Sequence, residues 1–160
     1  MSSFFSRNRK ELADLGIDEA RLPPGQYHTK RFPVLHAGSV PEVDLDEWDF
    51  VIDGLVAEPV RWEWQDIVDM PTITTIADIH CVTKWTKFDT SWEGVSVRDI
   101  WSMIEPRPSA THVMVKAYHG FTANLPIDDF LAEGNLFAHT FAGEPLEPNH
   151  GYPLRLVVPH

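Results

Sequence analysis

Short alternations of apolar and polar residues dominate the pattern along this chain. Trp48, Phe50 and Ile52 alternate with polar neighbours, which predicts a half-buried strand closed by Asp53-Gly54. Val60 to Trp62 extends briefly. Thr72 to Val82 is rich in β-branched residues and predicts a strand that ends at Cys81. Val113 to Ala117 and Phe121 to Leu125 predict two strands around a Tyr118-His119-Gly120 turn. Phe137 to Ala142 predicts another, turning at Gly143-Glu144, and Tyr152 to Val158 a last one.

Helical signals are shorter. Arg7 to Leu15 predicts a helix closed by Gly16, and Trp64 to Val68 one or two turns stopped before Pro71. Ser96 with Asp99 forms a capping box for a helix through Ile104, and Ile127 to Ala132 follows Pro126 as another short helix. Residues 21–46 hold Pro23, Pro24, Pro33 and Pro41 with Gly25 and Gly38, so they form an extended arm. Long arms in compact domains usually serve a function. The sum is a mixed α+β domain, strand-rich with short helices. Residues 1–21 read as an N-terminal helical extension and 22–160 as the main domain.

Composition narrows the partners. Thirteen Lys and Arg against 24 Asp and Glu give a net charge of −11. That argues against nucleic acid and against anionic lipid, although a local basic pocket can still oppose the global sign. A single cysteine allows no internal disulfide. The first residues show neither an apolar stretch of signal-peptide length nor a twin arginine, and no segment has the length of a membrane span. The chain therefore reads as cytoplasmic, with a mature periplasmic form as the alternative.

Chemistry centres on Cys81, which has His80, Lys84 and Lys87 close by in sequence. Positive neighbours favour the thiolate, the form that attacks electrophiles and binds metals. From these residues alone, a buried cysteine acting as a small hydrophobe is the more ordinary reading. Zinc is disfavoured: there is no CxxC, no HExxH and no paired spacing that closes a tetrahedral site. A papain-like protease is disfavoured too, because no helix signal follows Cys81 until Ser96. Asp128 and Asp129 suit the first turn of a helix better than an acid pair. His28, His36, His119 and His150 are each, taken singly, ordinary structural histidines. Arg155 stands out inside the apolar run Tyr152–Val158, where arginine rarely goes unpaired. It predicts either a salt bridge or a bidentate grip on a phosphate-like oxyanion. Lys30 and Arg31 offer similar charge on the arm. The six tryptophans leave open a sugar-stacking β module.

Three segments, in order, resemble one family, the sulfite-oxidase-like molybdopterin-dependent oxidoreductases. They are Gln26-Tyr27-His28-Thr29-Lys30-Arg31-Phe32-Pro33-Val34, His80-Cys81-Val82-Thr83-Lys84-Trp85, and the run Glu144–Pro159 with its His150-Gly151-Tyr152-Pro153-Leu154-Arg155 core. The resemblance implies the family's molybdopterin-binding fold and a molybdenum-molybdopterin cofactor. It makes Cys81 the metal ligand and catalytic thiolate, and His150 and Arg155 cofactor contacts. It assigns His28, Thr29, Lys30, Arg31 and Phe32 to the cofactor-binding arm and Ala117, Tyr118 and His119 to the pterin lining. One thiolate is enough, because the pterin brings the other soft ligands.

By the same resemblance the reaction is a two-electron oxygen-atom transfer on a small sulfur-oxo substrate, either sulfite oxidation or reduction of a sulfoxide or related oxide. The cofactor supplies the chemistry and the protein positions it. Lys84 and Lys87 are candidates for steering an anionic substrate. No CxxCH haem motif is present, so the electron-transfer partner is expected to be separate. The family continues past the last strand into a basic segment, which makes the domain appear truncated at the C-terminus. Lack of room for a dimerisation domain favours a smaller, bacterial-type relative. Two rivals stand beside this reading. One is a metal-free thiol redox enzyme using Cys81, which lacks a resolving cysteine. The other is a non-catalytic ligand-binding β-rich module.

Overall fold

The computed structural model describes residues 2–36 and 38–159, with side chains from Asn8 onward. Ten strands lie in chain order: β1 Tyr27–His28, β2 Asp49–Ile52, β3 Val60–Glu63, β4 Thr72–His80, β5 Trp85–Ser96, β6 His112–Lys116, β7 Thr122–Pro126, β8 Leu136–Phe141, β9 Glu144–Pro145 and β10 Arg155–Val157. The helices are α1 Ser2–Asp14, α2 Trp64–Val68, α3 Val97–Ser102 and α4 Ile127–Phe130. This is the strand-rich α+β arrangement that the alternation predicts. Contacts divide the chain into two units, Met1–Pro33 with Ile76–Thr90, and Val34–Thr75 with Ser91–His160.

In the first unit α1 begins earlier than its sequence signal and ends before Gly16, whose φ of 68° suits a residue without Cβ. Its Leu12 is fully buried. Among the described residues of the arm, only β1 is a strand. It runs parallel to the start of β5, with Tyr27 opposite Trp85 and His28 opposite Thr86. β4 ends at His80 rather than at Val82, because Cys81 already belongs to the turn into β5.

Strand β5 is the longest element that sequence reading missed, beside the two-residue β1 and β9. Its inward positions alternate through Thr86, Phe88, Thr90, Trp92 and Gly94, all buried. Two threonines and a glycine in that series hide the apolar alternation a strand usually shows. The buried hydroxyls are satisfied instead by hydrogen bonds: Thr90 Oγ1 donates to the Ala77 carbonyl, and Thr86 Oγ1 to Gln26 Oε1.

A charged clamp completes this unit. Arg21 reaches Asp78 on β4 through Nε (3.1 Å) and Nη2 (2.7 Å), and Nη2 also meets Asp89 of β5. The guanidinium lies over the Phe88 ring, 5.0 Å from its centroid. Burial pushes the Asp78 carboxyl upward. Hydrogen bonds from Arg21 and the Asp89 amide, with the Arg21 charge, outweigh it and hold Asp78 below the usual carboxylate range.

The second unit holds a core of Trp48, Ile67, Val95, Val97, Ile100, Phe130 and Phe137. The end of β5 pairs antiparallel with β8, and β8 pairs antiparallel with β10 and β9. The hairpins β2–β3 and β6–β7 form two further antiparallel pairs. α3 follows Ser96, whose hydroxyl accepts from the Arg98 amide rather than closing a box with Asp99. The predicted last strand is shortened to Arg155–Val157, since residues 151–153 form a turn with a cis Tyr152–Pro153 bond. Trp48, Trp85 and Trp92 are buried, and Trp62, Trp64 and Trp101 are half-buried against the core.

Between β5 and β8 the register shifts at Glu93/Gly94. A Cβ at Gly94 would collide with the Phe137 carbonyl oxygen and lie 2.6 Å from Ala138 Cα, both backbone atoms.

Two outcomes are expected. Gly94→Ala should lower unfolding stability by about 2–4 kcal/mol in denaturant titrations, because backbone cannot give way as a flexible side chain can; an unchanged midpoint would show that β5 and β8 separate freely. Asp78→Asn should cost about 1 kcal/mol at neutral pH, discounted for the partial exposure of both partners. Asp78 has a depressed folded pKa against about 3.9 unfolded, so its stabilisation is present above that value and is lost as pH falls through the folded one. The gap between parent and Asp78→Asn should therefore hold above about pH 5 and close in acid. A gap that persists in acid would remove the Arg21 pairing as its origin.

Candidate active site

Cys81 heads a tight turn between β4 and β5. Its amide donates to the Trp85 carbonyl at 2.9 Å, and the Lys84 amide donates to the Cys81 carbonyl at 2.9 Å. Lys84 takes up the reversal at φ 75°, a left-handed conformation unusual for a residue with a side chain. These bonds fix the backbone on both sides of the thiol. Cys81 is half-buried, and its Sγ shares a 3.1 Å hydrogen bond with Thr83 Oγ1. Val82 at the tip is 92% exposed, so the turn projects its side chains rather than packing them.

The charged neighbours have distinct tasks. His80 Nδ1 lies 3.0 Å from Thr86 Oγ1, inside the polar group formed with Gln26. Lys87 donates from Nζ to the Lys30 carbonyl at 2.8 Å, so it fastens the arm instead of standing as a solvated lysine. Lys30 and Arg31 themselves are exposed.

The rest of the arm is pinned next to this turn. Tyr27 and Thr29 amides donate to the carbonyls of Lys84 and Thr86, each at 2.9 Å. The Thr29 hydroxyl accepts from the Arg31 amide at 3.2 Å. His28 is buried and stacks on Phe88 at 5.6 Å between centroids, and Phe32 meets Trp85 edge-on at 6.1 Å. The first unit thus brings Cys81, Lys84, Lys87 and the arm residues His28–Phe32 together around the β1–β5 pairing.

The remaining expected residues lie in the second unit. Tyr118 and His119 follow Ala117 at the tip of the β6–β7 hairpin, with His119 left-handed at φ 58° and Gly120 at φ 75°. His119 Nε2 lies 3.4 Å from Ser39 Oγ, and its ring sits beside Gly38. Burial, with the Asp49 charge, raises the Tyr118 phenol above its ordinary value, so it stays protonated and able to donate. His36 Nε2 lies 3.3 Å from the Asn149 carbonyl.

His150 and Arg155 form the most built part of this unit. Arg155 Nη1 donates to the His150 carbonyl at 2.9 Å, and its guanidinium lies 5.1 Å from the centroid of the Trp92 ring. Gly151 between them has φ 104°, and a Cβ there would meet Arg155 Cβ at 2.9 Å, so the close approach requires glycine. Burial lowers the Arg155 pKa. Burial also lowers that of His150, aided by Arg155 and His36 and opposed by Glu147. A cation held in low dielectric attracts an anion more strongly than one in water.

Sequence reading missed four residues in these surroundings: Asn8, Thr83, Thr86 and Trp92. Thr83 and Thr86 carry no motif of their own, and Asn8 and Trp92 matter only through partners distant in sequence. Among the described residues no three His, Cys, Asp or Glu side chains group as a metal shell. No described helix is long and apolar enough to cross a membrane.

Comparison with known proteins gives the family and the fold. The family described as oxidoreductase molybdopterin binding domain matches residues 37–160. The uncharacterized oxidoreductase YuiH of Bacillus subtilis (strain 168) is 45% identical over 141 residues, covering 88% of this chain and 71% of that protein. The protein-methionine-sulfoxide reductase catalytic subunit MsrP of Gluconobacter oxydans (strain 621H) is 30% identical over 130 residues, covering 70% of this chain and 41% of MsrP. The nitrate reductase (NADPH) of Fusarium oxysporum is 28% identical, and the match covers 92% of this chain but 19% of that enzyme. The chain therefore spans less than half the length of two of these three relatives. The sulfane dehydrogenase SoxCD from Paracoccus pantotrophus has the same fold, with a TM-score of 0.70 at 21% identity over 78% of this chain and 37% of that one. With the family match running through more than half of its residues, this chain belongs to the oxidoreductase molybdopterin-binding domain family.

Proposed function

We propose that this protein carries out two-electron oxygen-atom transfer on a small sulfur-oxo substrate, with Cys81 as the protein ligand to molybdenum. The observation that carries the reading is the lone thiol on the fixed turn between β4 and β5, in a chain of a molybdopterin-binding family. The donor set suits the cofactor. A single thiolate fits a centre whose other soft ligands come from a pterin dithiolene. When bound, the molybdenum centre supplies the oxygen-atom and electron transfer.

The chain's residues hold and orient. Cys81 offers its thiolate, with Thr83 hydrogen bonded to the sulfur. In the first unit Lys30 and Arg31 would supply cations for the pterin's phosphate, with His28, Thr29 and Phe32 shaping the arm. In the second unit Arg155 and His150 would do the same, and Ala117, Tyr118 and His119 would be the pterin contacts of the β6–β7 hairpin. The working domain is residues 22–160. Lys84 is the candidate to steer an anionic substrate, since Lys87 is engaged with the Lys30 carbonyl. Sulfoxide reduction is the favoured direction, supported by the 30% identity to MsrP, named as a methionine-sulfoxide reductase subunit. Electrons would come from a separate protein partner.

The test is elemental analysis of parent and Cys81→Ser chains made in a host that synthesises the pterin. Near-stoichiometric molybdenum is expected in the parent, and at least a tenfold loss of sulfoxide reduction with a reduced dye in the variant. A parent free of molybdenum, or a Cys81→Ser variant that keeps both metal and activity, would overturn the assignment.

A further inference from the structure

The arm's backbone donors are held from two sides, and only one side belongs to the sheet. The amides of Tyr27 and Thr29 face β5 and donate to Lys84 and Thr86. The His28 amide, by the alternation of a strand, points the other way. There it donates to Asn8 Oδ1 of α1 at 3.0 Å, while Asn8 Nδ2 donates to the Gln26 carbonyl at 3.4 Å. One carboxamide thus occupies the outer edge of β1 as a neighbouring strand would. Asn8 is itself 8% exposed, and Leu12, one turn along the same helix, is 1% exposed. Glu11 lies between them in sequence, with Oε1 3.4 Å from His28 Nδ1. A buried polar side chain on an amphipathic helix is costly unless its bonds are made. Here both go to the backbone of the segment that leads into Thr29–Phe32.

We propose that Asn8 is a positioning residue for the cofactor-binding arm: α1 locks the outer edge of β1 and so fixes where His28–Phe32 stand. This rests on the reading of the arm as a pterin contact. Both the helix and the arm it holds lie N-terminal to residues 37–160, the span matched by the family model.

The experiment compares parent, Asn8→Leu and Asn8→Asp as full chains from a pterin-producing host. It reads His28 amide hydrogen exchange, thermal midpoint, and molybdenum retained after prolonged dilution and filtration. Asn8→Leu keeps a side chain of similar size and removes both bonds. It should speed His28 exchange about tenfold, as loss of one backbone partner does, and quicken molybdenum loss by more than the accompanying fall in midpoint explains. Asn8→Asp keeps the acceptor for the His28 amide and should fall between the two. Molybdenum in the parent with unchanged retention in Asn8→Leu would overturn the role of Asn8 alone. Exchange and metal loss that only track a falling midpoint in both variants would overturn it as well, leaving a fold role. A parent without molybdenum would overturn the cofactor reading and the arm's role with it.

Discussion

The close approach of β5 to β8 at Gly94 is the constraint on which the second unit rests. The Phe137 carbonyl occupies the space a side chain would fill, and the register shifts by one residue at that point. Beyond the shift, Val95 is fully buried, Ser96 caps α3, and Val97 and Ile100 of that helix join the same core. β8 in turn carries β10, with Arg155 opposite Ala138. The position of the half-buried guanidinium is therefore inherited from strand pairing. A ladder of backbone bonds places a side chain more closely than a loop does.

The first unit uses a different device. Beside α1 it holds the short β1, the end of β4 and the start of β5, and its buried amides need partners. Most find them in backbone carbonyls, as Tyr27, Thr29, Cys81 and Lys84 do, and the His28 amide finds Asn8. Side chains add their own bonds: Thr86, Gln26 and His80 close one polar group, and Arg21 ties β4 to β5 through two carboxylates. The result is a short β1 and a tight turn that hold Cys81 with little apolar material. In such a unit each polar group must be satisfied, because a half-made network costs more than none. That is why threonine rather than valine stands at inward positions of β5.

Chemical division of labour follows from these two devices. The thiol and the arm depend on polar bonding within a small unit, whereas His150 and Arg155 depend on sheet register and on a glycine that lets the chain turn closely past the arginine. The acidic net charge does not oppose an anionic ligand, since the cations concerned are few and locally placed.

The sequence by itself determined the α+β class, most of the strands and short helices, the extended arm, and the residues whose types announce chemistry. Periodicity, proline and glycine act over a few residues, so local pattern is enough to read them. It was also enough to mark Arg155, because an arginine in an apolar strand is anomalous by type, whereas Cys81 read locally as an ordinary small hydrophobe and took its assignment from the resemblance of three segments. Tertiary structure decided what local pattern cannot carry. Strand β5 was invisible because its inward face includes Thr86, Thr90 and Gly94, whose place inside is fixed by hydrogen bonds and close backbone contact. The bond from Lys87 to the arm, the Trp92 ring beneath Arg155 and the hold of Asn8 on β1 each join residues more than fifteen positions apart. Such pairings depend on how the chain folds back on itself, and no repeat or spacing in one segment encodes the partner that another segment will bring.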